Sequence, residues 1–216
     1  MKSILVIGMG RLGRHLASTM IDLGNEVMVI DKDPEVIESL SPVHGDANIG
    51  DCTNENVIKA LGVDNFDICF VTIDSDFQSS LVVTSLLKTY GANLVVSTAK
   101  RDIQADLLKK IGADEVVYPE REIAEKLAVR YNSSNIFDFI KLTPEYAIYE
   151  IPAPAVWTGK TISNLGVRQH YKVNIIAIKQ GNTLNTMPGP DYTFKADDHV
   201  IVIGKAGDVF KLSSEK

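Results

Sequence analysis

The sequence has few of the residues that mark secreted, metal-binding or membrane-spanning proteins. It contains 2 cysteines and 1 tryptophan among 216 residues. Cys52 and Cys69 lack CxxC spacing and neighbouring histidines, so we expect neither a disulfide nor a metal role for them. Cys69 lies in an apolar run typical of a core, whereas Cys52 follows an aspartate and is expected to line a site. No apolar run approaches the ~20 residues that a membrane span needs.

Basic charge is also scarce. Lys and Arg total 22 against 28 Asp and Glu, which gives a formal net charge of −6. Without a basic cluster, this balance argues against a nucleic-acid partner. The chain begins directly in a strand-like segment with no signal-peptide pattern. With 45% hydrophobic and 23% charged residues, the sequence predicts a soluble, cytoplasmic, globular protein.

The opening segment, Ser3 to Asp31, carries the most informative pattern. An apolar run typical of a doubly buried strand stops at a GxGxxG turn formed by Gly8, Gly10 and Gly13. These glycines permit a tight turn, close approach of the backbone to phosphate, and packing of the next helix on the strand. A second buried strand ends at Asp31, which can accept hydrogen bonds from ribose hydroxyls. The segment predicts an adenine-nucleotide site.

Two features near this turn allow more than one interpretation. Asp51 and Thr53 are either helix caps only or part of the adenine surroundings, since their loop follows a strand. Arg11 is either an exposed arginine or a cation that meets an extra phosphate, on the bound nucleotide or on one held by a neighbouring subunit. The second interpretation of Arg11 favours a triphosphate.

Strand-like runs alternate with helical periodicities until about residue 131, and shorter alternating runs separated by turns follow. The pattern predicts an α/β fold: a Rossmann-like doubly wound parallel sheet with a small C-terminal α+β domain whose sheet is mostly antiparallel. The expected divisions are 1–134 for the nucleotide-binding domain, 135–145 for a linker or crossover, and 146–216 for the second domain. The apolar segment Ile136 to Leu142 is expected to pack between domains or subunits.

The sequence offers little catalytic chemistry. A dehydrogenase needs a proton donor beside the nicotinamide, and His15, His44, His170 and His199 all read as surface or capping residues. No Tyr-x-x-x-Lys pair follows the fourth strand. These absences count against an enzyme. The enzymatic alternative is a small NAD-dependent oxidoreductase, or its cofactor-binding half, with a base beside Ile73-Asp74.

Motifs along nearly the whole chain carry a family resemblance. Those of the first part are Val6-Ile7-Gly8-Met9-Gly10-Arg11-Leu12-Gly13, Val29-Ile30-Asp31, Gly50-Asp51-Cys52-Thr53, Lys110-Ile111-Gly112-Ala113-Asp114 and Tyr118-Pro119-Glu120. Those of the second part are Gly159-Lys160-Thr161-Ile162, Leu165-Gly166-Val167-Arg168, Ile175-Ile176-Ala177-Ile178 and Asp198 to Gly204. With them the chain resembles the gating subunit of Ktr/Trk-type bacterial potassium uptake systems, an RCK protein with TrkA-N and TrkA-C lobes.

The resemblance implies a regulatory subunit and not an enzyme. Such subunits form homodimers that assemble into an octameric ring beneath a membrane-embedded potassium-translocating subunit, on the inner face of the membrane. ATP, ADP or NAD(H) in the Rossmann cleft sets the shape of the ring. The glycines would bind phosphates, Asp31 the ribose, the Asp51 to Thr53 loop the adenine, and Arg11 a terminal phosphate across the dimer. The expected site comprises Gly8, Gly10, Arg11, Leu12, Gly13, Asp31, Lys32, Asp51, Cys52, Thr53, Thr72, Ile73 and Asp74.

The resemblance also implies further ligands. Glu120 matches a glutamate that helps bind Mg or another cation near the phosphates. Thr98 stands where some relatives have a lysine, which leaves ATP/ADP and NAD(H) as alternatives. Some relatives bind cyclic di-AMP between the C-terminal lobes of a dimer, although apolar pairing of those lobes explains the same isoleucines equally well. The matching residues are Ile162, Arg168, Asn174, Ile175 and Pro188.

Overall fold

The computed structural model describes residues 1–40, 46–132 and 136–215. The chain divides into two compact units, Met1–Arg121 and Glu122–Lys216. The division expected after Ser134 lies outside the described residues. Within the three described ranges, no helix combines the length and the apolar character that crossing a membrane requires.

The first unit contains a six-stranded sheet in the order β3-β2-β1-β4-β5-β6, and every pairing in it is parallel. The order reverses beside β1, because the chain moves outward to β3 and then returns to place β4 next to β1. Ligands of such sheets bind at the carboxyl ends of the strands around this reversal. The strands are β1 Ser3–Ile7, β2 Glu26–Asp31, β3 Asp46–Ile49, β4 Ile68–Val71, β5 Val95–Thr98 and β6 Glu115–Val117.

Helices cover both faces of this sheet. Val6 of β1 belongs to a core cluster with Ala17 on one face, whereas Ile7 belongs to a cluster with Leu87 on the other. Burial on both faces explains why β1 reads as a continuous apolar run. The doubly wound fold predicted from the sequence is confirmed. The helices of this unit are α1 Arg11–Asp22, α2 Pro34–Glu38, α3 Glu55–Leu61, α4 Phe77–Thr89 and α5 Asp102–Lys110. Helix α6, Pro119–Asn132, begins here, but most of its residues belong to the second unit, where Val129 packs against the core.

The start of α3 differs from the sequence-based expectation. The cap is Asn54, whose side chain accepts a hydrogen bond from the Asn56 amide at 3.0 Å. Asp51 instead accepts bonds from the amide and hydroxyl of Thr53, at 3.0 and 2.7 Å. Because this local turn occupies both side chains, the helix begins beyond them. The interpretation of Asp51 and Thr53 as caps is therefore wrong. Residues 41–45, which include His44, lie outside the described residues.

The second unit contains an antiparallel sheet in the order β10-β9-β11-β8-β7. Tyr149 and Ile151 of β8 and Val200 and Val202 of β11 are buried in one core with Trp157, as the period-2 patterning predicted. The segment around Ile136 to Leu142 supplies the edge strand β7. The elements are β7 Asp138–Lys141, β8 Tyr146–Pro152, α7 Ile162–Leu165, α8 Val167–His170, β9 Asn174–Gln180, β10 Thr183–Asn185, β11 Asp198–Lys205 and α9 Ala206–Ser213.

Candidate functional site

A cavity of about 320 Å³ lies in the first unit at the carboxyl ends of β1, β2 and β4. Its position follows from the topology, since the loops after these strands meet where the strand order reverses. Arg11, Leu12 and Gly13 of the predicted set do not line it. The predicted residues that do line it are Gly8, Gly10, Asp31, Lys32, Asp51, Cys52, Thr53, Thr72, Ile73 and Asp74.

The three glycines of the turn have different structural roles. Gly8 has φ +95°, a conformation that L side chains rarely adopt. A Cβ at Gly13 would lie 2.1 Å from the carbonyl oxygen of Gly8, so α1 sits directly on the turn. A Cβ at Gly10 would meet no atom within 4 Å. Gly10 therefore leaves open space beside the unpaired amides of the first turn of α1, the arrangement that binds phosphate in Rossmann folds.

Side chains from three elements fix the peptide groups of this turn. The Met9 amide donates to Asp31 Oδ2 at 2.6 Å, and Thr72 Oγ1 donates to the Gly8 carbonyl at 2.6 Å. Arg14 Nε donates to the Met9 carbonyl at 2.9 Å. The remaining oxygen of Asp31 accepts from the Asp33 amide at 3.0 Å. Asp31 therefore helps to fix the turn through these two hydrogen bonds. The interpretation of Asp31 as an acceptor for ribose did not include them.

Carboxylates dominate the polar lining of the cavity. The hydroxyl and amide of Thr53 lower the pKa of Asp51, and the hydroxyl and amide of Ser79 lower the pKa of Asp76. Burial, with the neighbouring aspartates, raises the pKa of the Cys52 thiol to about 12, so the thiol stays protonated. The lining residues that the sequence did not single out are Ile7, Met9, Ile30, Asp33, Val36, Gly50, Ser75, Asp76, Ser79 and Val83.

The position where a lysine occurs in some relatives is occupied by a buried threonine. Thr98 Oγ1 donates to the Asp74 carboxylate at 3.2 Å and lies 3.4 Å from the Val71 carbonyl oxygen. Thr98 itself does not line the cavity, but Asp74 does. Thr98 therefore orients a cavity carboxylate and adds no cation to the site.

The predicted cation ligand stands apart from these residues. Glu120 is exposed in the first turn of α6 and does not line the cavity. Across residues 1–40, 46–132 and 136–215, no three His, Cys, Asp or Glu side chains converge as a metal cage would require. The described side chains therefore do not form a complete metal site by themselves.

A second cavity, of about 420 Å³, lies in the second unit. Arg168 Nε donates to Asn174 Oδ1 at 2.8 Å, which places a guanidinium and an amide side by side. Thr161 caps α7 by accepting from the Asn164 amide at 3.2 Å. A cation, an amide and apolar side chains thus converge on one opening. All of the residues predicted for cyclic di-AMP line it: Ile162, Arg168, Asn174, Ile175 and Pro188.

The described histidines do not line the first cavity. His15 is exposed on α1, and His170 Nδ1 lies 2.9 Å from the Leu165 carbonyl. His199 Nδ1 lies 3.0 Å from Glu150, which also accepts from Lys179 at 2.8 Å. None of these three imidazoles lines the first cavity, so none supplies a base beside Asp74.

The architecture defines a Rossmann-type protein with a glycine-turn cavity and a separate antiparallel lobe. Domain comparisons then give the family: the TrkA-N domain matches residues 4–119, and the TrkA-C domain matches residues 146–215. The chain belongs to the TrkA-N/TrkA-C family of potassium uptake proteins. The family resemblance predicted from the sequence motifs is confirmed.

Individual relatives agree with this assignment. The Ktr system potassium uptake protein C of Bacillus subtilis (strain 168) is 36% identical over 208 residues, which cover 96% of this chain and 94% of the relative. The Ktr system potassium uptake protein A of the same organism is 30% identical over 214 residues, 99% of this chain and 96% of the relative. Both of these relatives are potassium uptake proteins.

A solved channel shares the fold. The GsuK channel bound to NAD has a TM-score of 0.65 and 18% identity, and the alignment covers 99% of this chain and 40% of that chain. This chain therefore spans nearly all of the two uptake proteins but less than half of the channel chain.

Proposed function

We propose that this protein is a cytosolic, nucleotide-binding regulatory subunit of a bacterial potassium uptake system. The observation that carries the proposal is the glycine-turn cavity at the carboxyl edge of the sheet, in a chain related over nearly its whole length to potassium uptake proteins. The oxidoreductase alternative gains no support, because those relatives are potassium uptake proteins and the described histidines do not line the cavity.

The proposed ligand of the first cavity is ATP, ADP or NAD(H). The backbone amides around Gly10 and the start of α1 would bind phosphates, since the helix end concentrates positive potential there. Asp31 keeps acceptor capacity on both carboxylate oxygens for ribose hydroxyls, because each oxygen accepts only one internal bond. The loop Asp51 to Thr53 would surround the adenine. NAD in the related channel fold supports the dinucleotide among these ligands.

The proposed ligand of the second cavity is cyclic di-AMP, bound between the C-terminal lobes of two subunits. The Arg168 guanidinium offers a charged fork for a phosphate. Asn174 offers an amide for an adenine edge, and the apolar side chains of Ile162, Ile175 and Pro188 offer a surface for an adenine face.

The assembly proposed for the chain is a homodimer that builds an octameric ring beneath a membrane-embedded potassium-translocating subunit. The exposure of two side chains is relevant to this assembly. Arg11 is exposed and does not line the cavity of its own chain, which suits a role toward the nucleotide of a neighbouring subunit. Glu120 is exposed as well, and its part in cation binding stays a prediction. The domain divisions proposed are 1–134, 135–145 and 146–216.

Regulation in this proposal follows from differential binding. A nucleotide shifts the ring only by the difference between its affinities for the two ring shapes. An affinity ratio of ~100 corresponds to roughly 2.7 kcal/mol per site. Several coupled sites in one ring therefore supply enough free energy to change the open probability of a pore.

The test is potassium flux into vesicles that hold the translocating subunit together with this protein. We expect flux to change with added ATP, ADP or NAD(H), and Gly10→Ala to remove that response because its Cβ fills the space beside the phosphate-binding amides. Gly207→Ala, at a helical glycine equally free of neighbours, serves as the control and should respond like wild type. A potassium flux that does not change with any of these nucleotides would contradict the proposal, as would hydride transfer from NADH to a small acceptor.

A further inference from the structure

We propose that Arg14 is a positioning residue of the phosphate-binding turn, which holds the Met9 carbonyl so that the Gly10 amide points toward the ligand. The inference rests on the proposed nucleotide function and adds a residue to its site. Arg14 does not line the cavity, so its role is indirect.

Described side chains bind three of the four polar groups in the two peptide groups of the turn, and the Gly10 amide is the fourth. The peptide group between Gly8 and Met9 is fixed at both ends, because Thr72 binds its carbonyl and Asp31 binds its amide. The next peptide group, between Met9 and Gly10, is held at its carbonyl by Arg14. Its other end is the Gly10 amide, and Gly10 lines the cavity.

Peptide planarity converts that single contact into an orientation. In a trans peptide group the carbonyl and the amide point in opposite directions within one plane. When Arg14 holds the Met9 carbonyl, it therefore also sets the direction of the Gly10 amide. Gly10 carries no side chain that caps α1, and glycine has wide backbone freedom. Without Arg14, the described contacts would leave this peptide plane free to rotate at its carbonyl end.

The position of Arg14 in α1 suits this task. Helical side chains lean toward the N-terminus of their helix, so a residue in the first turns of α1 reaches back over the loop before it. The planar guanidinium directs Nε along one line, whereas a lysine ammonium lacks that fixed fork. Met9 is buried, with 1% of its surface exposed, which holds the acceptor in place. Arg14→Lys keeps the charge but loses the fixed geometry of the guanidinium, whereas Arg14→Gln loses both. Comparing the two variants therefore separates the effect of geometry from the effect of charge.

The experiment compares Arg14→Gln and Arg14→Lys in the full chain, with Lys109→Gln as a control that removes one exposed charge from the same unit. Calorimetry measures the dissociation constants of ADP and adenosine, and amide hydrogen exchange of Gly10 is measured with and without saturating ADP. We expect both Arg14 variants to weaken ADP binding by ~10-fold, in line with losing a charged hydrogen bond. Adenosine binding should be unchanged, and saturating ADP should slow exchange of the Gly10 amide less in the variants than in wild type.

Three results would overturn the role of Arg14. Wild-type ADP affinity in Arg14→Lys would mean that charge alone matters. Equal losses for ADP and adenosine would indicate a general effect on the fold, as would the same loss in the control. Protection of the Gly10 amide by saturating ADP equal to that in wild type, in both variants, would remove the positioning role even if a variant proved too unstable for calorimetry. If wild-type protein binds no ADP, ATP or NAD(H), the proposed function itself fails, which is a separate outcome.

Discussion

Alanine at Gly13 should destabilise the first unit even though it improves the intrinsic helix propensity. At an open helical position, replacing glycine with alanine gains about 1 kcal/mol. At Gly13 the added Cβ would lie 2.1 Å from the Gly8 carbonyl oxygen and 2.8 Å from Thr72 Oγ1, whereas real Cβ contacts essentially never fall below 3.0 Å. The closer contact is with backbone, so rotating a side chain cannot relieve it.

Relief of this contact requires α1 to move by about 1 Å from the turn, given the distances above. Overpacking of this kind costs ~1–3 kcal/mol, and a backbone clash exceeds the helix-propensity gain. Because the contact is with backbone, we expect a cost toward the upper end of that range and a net loss of about 1–2 kcal/mol for Gly13→Ala. That loss would lower the thermal midpoint by roughly 2–8 °C for a chain of this size.

Thermal unfolding followed by circular dichroism measures the effect, and Gly207→Ala provides the matched control. Gly207 also lies in the first turn of a helix, α9, but its added Cβ meets no atom within 4 Å. The control midpoint should stay level or rise. If Gly13→Ala matched that control, the close approach of α1 to the turn would be refuted.

Three further outcomes are expected. Asn54→Ala should cost ~1 kcal/mol of unfolding free energy by removing the α3 cap, whereas Thr53→Ala should leave the helix start intact; equal midpoints in thermal melts would contradict this. Burial raises the pKa of the Cys52 and Cys69 thiols to about 12, whereas a thiol in an unfolded chain has a pKa of ~8.5. The free energy of unfolding that these thiols contribute is therefore complete below pH ~8.5 and declines as the pH rises toward 12. Both thiols should label slowly at pH 8 in native protein and quickly in urea, and rapid native labelling would contradict their burial. Arg168→Gln should weaken cyclic di-AMP binding ~10-fold by losing a charged hydrogen bond, as measured by calorimetry, and an unchanged affinity would remove Arg168 from that site.

Local patterning was enough to predict both sheets. The run Ile4 to Ile7 is apolar throughout because β1 is buried on both faces, whereas β8 alternates because only one of its faces meets the core. Asp31 could be singled out because it ends the strand beside β1. These features depend on short-range periodicity and on a topology that glycine spacing indicates.

Other features depend on contacts that the sequence order does not reveal. Thr72 reaches the Gly8 carbonyl across 64 residues of chain. Arg14 reaches back from α1 to the Met9 carbonyl, a contact that apolar periodicity does not indicate. Asp76 lines the cavity and caps α4 by accepting from the Gln78 and Ser79 amides. Its place in the loop between β4 and α4, at the same edge of the sheet as the glycine turn, was a signal that could have identified it.

The central claim is that the first cavity binds an adenine nucleotide without turning it over. Calorimetric titration of the full chain with ATP, ADP, NAD and NADH tests this claim most directly, with Asp31→Ala as the comparison. The account predicts saturable binding of at least one of these ligands and no hydride transfer. It also predicts an affinity lower by ~1–3 kcal/mol in the variant, because the Met9 amide and the ribose would lose their acceptor. No binding by wild-type protein, or equal affinities in the two proteins, would contradict it.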